Sequence, residues 1–536
     1  MKPILLFLLP ALVLATGCNK ILDRQPTDFI QPDNYYNSEQ DLNFALTGAY
    51  DPLGSEYLYG SSLWFQFGSC SDESFYPNTA NSFSAPMFYQ FDYTNPYVSG
   101  LWEQCYVGIE RANLLIKNIN KPNMDETKRQ VILGEALFLR GFYHFLLVSN
   151  YGGVPLKLTP TANINSVNIP RDDAATVYAQ VLADMKEAEA KVSKASVIGN
   201  GSHVSQTTVQ GILARVCLYM AGNPLNDQNK YAEALSWAQK VQQSGEHQLN
   251  TNFDPLLTNS AYSQVFINQT RDVYDVKESM WEADFYMNGQ NTAYNEGGRL
   301  GTYQMGCQNI DTGFGSGNIR TTIKLYNLYK TGDQRRDWSI APFSFTSTAT
   351  TAVRVNYTAS NIIGRESGKW RRYTELPPKQ QYRTGTNFPI LRYSDVLLML
   401  AEAENEVNAG PTQAAYDAIN EVRRRGYGVP LDQPDVNADL PADLSYTDFK
   451  QQIQDERARE LCFEGLRRPD LIRWGIFKQV MDAMVTEIQA SNASVTNKNR
   501  WILGYSTAGS SPRYTILPIP ALELNINKAI RQNQGW

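Results

Sequence analysis

Arg392-Tyr393-Ser394-Asp395-Val396-Leu397-Leu398-Met399-Leu400-Ala401-Glu402-Ala403-Glu404-Asn405-Glu406-Val407 is the stretch that decides the fold. Val396, Met399, Leu400, Ala403 and Val407 recur at i, i+3, i+4, i+7 and i+11, which sets them on one face of an α-helix. Asn408, Ala409, Gly410 and Pro411 stop that helix, and a second follows with Ala415, Ala418, Ile419 and Val422 on its apolar side. The result is a helical hairpin of roughly 34 residues, the size of a tetratricopeptide-type unit.

The same grammar appears upstream. Ile212, Leu213, Val216 and Tyr219 form a stripe, Gly222, Asn223 and Pro224 break it, and Ala234, Leu235, Ala238 and Val241 give the return helix. Trp102 to Ile119 and Thr127 to Val148 form a further antiparallel pair joined by Asn120, Lys121, Pro122 and Asn123. Two segments lack helical period and are rich in Gly, Asn, Ser and aromatics, about 68–100 and about 250–389, the second with strand-like runs such as Ser279 to Phe285. Loops of this length carry function or are disordered, and their aromatic content argues against disorder. The fold expected is mainly α: one large helical body over residues 38–536 bearing long irregular loops and a few short strands.

The chain has 536 residues with a formal net charge of -6, and no concentrated basic run of the kind nucleic acid requires. At its start, Lys2 precedes an apolar run from Ile4 to Leu14, and small residues lead to Cys18, which reads as an export signal over 1–17. Cys18 sits as the acylated cysteine of a bacterial lipoprotein does; the alternative is a plain secretory signal with an incidental cysteine. Residues 18–37, with Pro26 and Pro32, then form a tether to the membrane, where two or more acyl chains hold stably. The remaining cysteines, Cys70, Cys105, Cys217, Cys307 and Cys462, are odd in number and widely spaced, and are expected as buried thiols.

Catalytic signatures fail in turn. There is no HExxH, GxSxG or phosphate-loop motif, and three histidines are too scattered for a triad or a metal site. Among the paired carboxylates, Asp172 and Asp173 read as a helix start, and Glu402, Glu404 and Glu406 as a solvated face. Asp72 and Glu73 differ, because they open the first aromatic loop. The segment from Glu456 to Arg473 is dense in both signs and reads as a structural ion network rather than an anion site.

From Cys18-Asn19-Lys20-Ile21-Leu22 onward the chain resembles the SusD/RagB family of outer-membrane nutrient-binding lipoproteins. The resemblance runs through Leu139-Arg140-Gly141-Phe142-Tyr143-His144-Phe145 with Tyr151-Gly152-Gly153-Val154-Pro155, the stretch quoted first, Glu464-Gly465-Leu466-Arg467-Arg468-Pro469-Asp470, Leu517-Pro518-Ile519-Pro520 and Gln532-Asn533-Gln534-Gly535-Trp536. It departs at Gln534, where Pro is common, and at Gly141, where Ala is usual. The resemblance implies four tetratricopeptide-like helix pairs and no catalytic activity; no cofactor is expected, and the residues offer no metal site. It also implies a glycan ligand held by loops that vary between members, and a TonB-dependent outer-membrane transporter as partner, with the protein lipid-anchored at the outer membrane and facing the cell exterior. Asp72 lies where some members use an acidic ligand contact.

Sugars present C–H faces beside hydroxyls, so their sites combine aromatic rings with amides or carboxylates. The glycan-binding set expected on that ground is Asp72, Tyr76, Tyr89, Tyr93, Tyr286, Asn291, Tyr294 and Tyr303, with Trp102 and Trp281 assigned to the core. For any one of these tyrosines, packing against the scaffold competes with ligand contact. Two other functions stay open: a glycoside hydrolase using Asp72 or Glu73, and a helical-repeat adaptor whose ligand is protein.

Overall fold

The structure, a computed structural model, describes residues 35–163, 167–287 and 297–536. The export signal, Cys18, most of the tether, Asn291 and Tyr294 lie outside the described residues.

Helices of seven residues or more are α1 (Glu39–Tyr50), α2 (Pro96–Asn118), α3 (Glu126–Tyr151), α4 (Ala174–Glu189), α5 (Gln206–Ala221), α6 (Lys230–Gln243) and α7 (Ala261–Thr270). After the second long loop come α8 (Tyr393–Val407), α9 (Gln413–Tyr427), α10 (Tyr446–Leu461), α11 (Arg467–Arg473), α12 (Phe477–Ala490) and α13 (Val495–Gly509). Side-chain caps set many of the starts: Asn95 accepts from Tyr97 N ahead of Pro96, Asp173 from Thr176 N, Ser205 from Thr208 N and Thr412 from Ala415 N. Asp173 thus opens a helix as its sequence context implies, while Asp172 instead accepts from Leu156 N at 3.1 Å.

Consecutive helices stack side by side, α2 on α3, α3 on α4, α4 on α5, α5 on α6, α6 on α8, and α8 on both α9 and α10. The hairpins read from the sequence, α2/α3, α5/α6 and α8/α9, are each in direct contact. The α2–α3 crossing is close because position 108 is glycine: a Cβ there would fall 2.2 Å from the Tyr143 ring. Helix α3 is long and apolar enough to cross a membrane, yet most of it is buried, with Phe138, Phe142 and Tyr143 at 0% exposure in the core.

The strands are few and short: β1 (Ser74–Phe75), β2 (Ser279–Ala283), β3 (Arg320–Thr321), β4 (Phe343–Ser347), β5 (Ala352–Asn356) and β6 (Phe388–Arg392). All pairs are antiparallel. β2 and β6 close the second long loop on itself, with Ser279 opposite Arg392 and Ala283 opposite Phe388, and bury Trp281 against Phe138 and Phe142. β1 and β3 tie the two long loops together. Trp102 and Trp281 are both core residues, at 5% and 0% exposure.

Three details depart from the sequence reading. The second loop region holds α7, whose Tyr262, Phe266 and Ile267 are buried and which its polar flanks concealed. Glu402 and Glu404 are buried rather than solvated, because Glu402 takes both Nη groups of Arg473 and the indole N–H of Trp474. The charges of 456–473 pair mostly across elements, and only Arg459 with Glu456 and Arg473 with Asp470 pair along a helix. Cys70, Cys105, Cys217, Cys307 and Cys462 are free, buried thiols.

Candidate functional site

The eight glycan-binding candidates separate into three groups. Tyr93 and Tyr286 are solvent-exposed, at 43% and 69%. Asn291 and Tyr294 lie outside the described residues. Asp72, Tyr76 and Tyr303 are buried and face inward, against their expected role as glycan contacts, whereas Tyr89, 3% exposed, packs inward but also lines the larger of the two clefts described below.

Asp72 is 2% exposed and accepts from Arg467 Nε and Nη2 at 2.8 Å each and from Lys324 Nζ at 2.5 Å. Burial alone would raise its carboxyl; the two cations overcome burial and hold it well below the usual carboxylate range. Burial pushes its neighbour Glu73 up to about 8, with the Asp72 charge adding to the rise, so Glu73 carries a proton at neutral pH. Tyr76 packs edge-on to Phe88, and Tyr303 stacks on Phe65 with ring centres 3.9 Å apart. Tyr89, at φ 55°, donates its hydroxyl to Cys70 O and packs against Phe477 and Tyr514. A loop without helical period still has to bury its own apolar surface, and these rings serve that need.

What the two loops present outward is a different set of residues. Arg299 N donates to Gly60 O at 3.1 Å, Arg299 Nη2 reaches the Glu56 carboxylate at 3.4 Å, and Nη1 donates to Tyr382 O at 3.2 Å. Beside Glu56, Tyr57 meets Tyr97 edge-on at 6.1 Å, and Phe83 bridges Tyr97 and Tyr303 at 6.4 and 6.2 Å. Burial, then the Glu56 charge, raises the Tyr97 hydroxyl above its ordinary value, so it stays a donor at any physiological pH. Tyr382, 57% exposed, packs edge-on to Phe314 at 5.1 Å. Next to the exposed Tyr286, Phe285 packs over Gly298, which bridges to Thr384.

This ridge of Tyr97, Glu56, Arg299 and Tyr382 joins two open clefts. One, of about 780 Å³, is lined by Phe83, Gln90, Asp92, Asn95, Tyr97 and Arg513. The other, of about 650 Å³, is lined by Gln308, Phe314, Ser347, Glu366 and Tyr382. Both combine rings with amides and charged groups, the chemistry a sugar requires, and each is large enough for several sugar units. Glu56, Tyr57, Tyr97, Arg299 and Tyr382 were not singled out from sequence. The available signals were Asn95-Pro96, which caps a helix and leaves Tyr97 at the loop edge, and the polar run Gln380-Gln381-Tyr382-Arg383.

The class defined by these features is a mainly helical scaffold that displays two aromatic-walled clefts on its non-repeating loops. Residues 277–536 match the model of the SusD family, and residues 20–218 match a second model described as starch-binding, associating with outer membrane. SusD-like protein P25 of Formosa agariphila is 23% identical over 97% of this chain and 96% of its own length. The crystal structure of a SusD homolog from Bacteroides thetaiotaomicron superposes with a TM-score of 0.85 at 27% identity, covering 94% of this chain and 98% of that one. Surface glycan-binding protein A from Bacteroides fluxus superposes with a TM-score of 0.70 at 21% identity, covering 93% and 100%. The chain belongs to the SusD family.

Proposed function

We propose that this protein is a non-catalytic, cell-surface glycan-binding lipoprotein, anchored at the outer membrane through Cys18, that captures oligosaccharide and passes it to a TonB-dependent transporter. The observation that carries the reading is the ridge from Tyr97 through Glu56 and Arg299 to Tyr382, where rings and charged groups from both long loops meet between two open clefts. The names of related proteins, surface glycan-binding and starch-binding, agree with it. The hydrolase alternative loses its carboxylates, since Asp72 and Glu73 are buried and Asp72 is tied to Arg467 and Lys324. The adaptor alternative leaves the polar lining of the two clefts without a purpose.

The test is affinity electrophoresis and calorimetry of the mature chain against a polysaccharide panel, with product analysis alongside. Binding without product release is expected for at least one glycan. A Tyr97→Ala/Tyr382→Ala double variant should bind it at least tenfold more weakly, since each stacking ring is worth about 1–2 kcal/mol. Unchanged affinity in the double variant would place the ligand elsewhere, and released oligosaccharide would restore the enzyme. For the transporter, isolation from native membranes in mild detergent should bring down a large β-barrel protein; recovery of the lipoprotein alone opposes that part of the reading.

A further inference from the structure

Behind the wall of the first loop cleft, an internal cavity of about 450 Å³ lies between the helix stack and the C-terminal helices. Its walls come from α3, α4 and α5 on one side and from α11 and α12 on the other, with Trp64 and Phe388 at its inner end. It reaches solvent beside Asn223, Lys478 and Pro512. The walls are mostly apolar and aromatic: Phe388 packs on Tyr59 at 5.2 Å, and Phe145 packs on Tyr219 and Tyr178 at 5.0 and 6.3 Å.

Polar groups on those walls are left without partners. Arg468 is 5% exposed and spends Nη2 on Tyr514 O at 2.7 Å, and its guanidinium lies over the rings of Tyr89 and Phe477. Its helix neighbours are fully paired, Arg467 with Asp72 and Arg473 with Glu402 and Asp470. Arg468 has no carboxylate within 4.0 Å among the described residues. Glu464 also lines the cavity, but its two oxygens are taken by Lys369 and Arg392. Arg215 gives Nη1 to Ile390 O and Nη2 to Asp395, and its buried Nε has no acceptor. The hydroxyls of Tyr59, Tyr178 and Tyr219 make no hydrogen bond among the described residues. A buried guanidinium without a counter-ion costs several kcal/mol, and an anion in the cavity would remove that cost.

We propose that this cavity is a binding site for a small carboxylate with a flat apolar body, an aromatic carboxylate, whose anionic end meets Arg468 and whose ring lies among Phe145, Tyr178, Tyr219 and Phe388. The volume falls inside the range of small-molecule sites, about 300–1,000 Å³. A sugar fits the walls poorly. Its hydroxyls outnumber the unsatisfied groups, and each one left without a partner is costly to bury. Arg468 links the cavity wall to Tyr89 and Tyr514 of the first loop cleft, but the proposal does not depend on the glycan reading.

The probes are 4-hydroxycinnamate and benzoate, with cinnamyl alcohol as the neutral counterpart and glucuronate as a carboxylate on a sugar body. Calorimetry and ligand-observed NMR on the mature chain should show 4-hydroxycinnamate binding below about 1 mM, with the alcohol and glucuronate at least tenfold weaker. Arg468→Met should weaken 4-hydroxycinnamate by tenfold or more, and Tyr178→Phe by about fivefold, with glycan binding unchanged in Tyr178→Phe. Should Arg468→Met fail to fold, the near-isosteric Tyr178→Phe decides alone. No binding of either aromatic carboxylate at about 10 mM overturns the proposal. Equal binding of glucuronate, or affinity undiminished in every variant that folds, overturns it as well.

Discussion

Replacing Asp72 by Asn separates the ligand role suggested by its place in the loop from the structural role its partners define. The side chain keeps its shape and loses its charge, which leaves Arg467 buried beside a neutral amide. Arg467 retains one bond, from Nη1 to Gln454 O at 2.7 Å, but no anion. Breaking a buried ion pair from one side costs about 3–5 kcal/mol. Lys324 adds little to that loss, because its side chain is 33% exposed and can turn to water. Glu73 can ionise more readily once Asp72 is neutral and offset part of the loss, so the lower end, about 3 kcal/mol, is expected. With an unfolding entropy near 2.1 cal/mol/K per residue over roughly 500 residues, that lowers Tm by about 3 °C. The folded carboxyl is depressed, so its contribution is complete above the unfolded value near 3.8 and is lost as pH falls below it. The gap between variant and wild type should therefore hold from about pH 8 to pH 5 and close below about pH 4. Differential scanning fluorimetry across that range reads the stability, and affinity electrophoresis on the glycan that wild type binds reads the function. A variant with unchanged Tm that no longer binds glycan would refute the packing argument and return Asp72 to the ligand surface.

Glu73→Gln should behave oppositely in pH. The folded carboxyl is raised to about 8 from 4.5, so its contribution to stability is full below about pH 4.5 and lost as pH rises toward 8; the Tm advantage of the variant should grow by a few degrees between about pH 5 and pH 8, and a constant gap would count against a buried, protonated Glu73. Tyr89→Ala removes a ring 3% exposed from between Phe477 and Tyr514 and should cost about 3–5 kcal/mol in unfolding; an unfolding free energy equal to wild type would show that the ring carries no packing role. Cys18→Ser should move the protein from the membrane to the soluble fraction, and retention at high salt would speak against a lipid anchor. The five free thiols should resist an aqueous thiol reagent in the native state and all react in denaturant; rapid native labelling would show that the core around Cys70 or Cys105 is open.

The helices were legible because burial imposes a period. Val396, Met399, Leu400 and Ala403 are all at 0–1% exposure, as their spacing requires, and so are Ile212, Leu213 and Val216, whereas Val407, read onto the same face, is 45% exposed at the helix end. The candidate site was legible only to the level of segments. The proposed ridge draws on both aromatic loops, but a tyrosine in an aperiodic loop has no spacing that tells inward from outward. Tyr303 and Tyr382 belong to the same loop and read alike; one is 7% exposed and the other 57%. What separates them is the partner of the ring: Tyr303 stacks on Phe65, far away in sequence, whereas Tyr382 meets the edge of Phe314 within its own loop. Asp72 was misplaced for the same reason, because its partner Arg467 is 395 positions away.

The charged segment shows what such distant pairing accomplishes. Glu278, just before β2, is held by Arg392 and Arg425, and Arg335 reaches Asp333, Glu456 and Glu460. Lys369 meets Glu464, and Arg392 adds Glu460 and Glu464. Glu278, Asp333, Arg335 and Lys369 all belong to the second long loop, whereas their partners sit on β6, α9, α10 and the turn after it. Buried pairs of this kind add little net stability compared with apolar packing, but a misplaced member leaves a charge uncompensated at about 3–5 kcal/mol. The penalty falls on any shift of the loop across the helices, so the network fixes position more than it adds stability. Arg299 and Tyr382 lie on that same loop, and β2 with β6 and β1 with β3 carry the constraint outward to them. An ionic frame inside the body thereby holds the two halves of the aromatic ridge in register, while the loops above it remain free to differ in sequence without moving the scaffold.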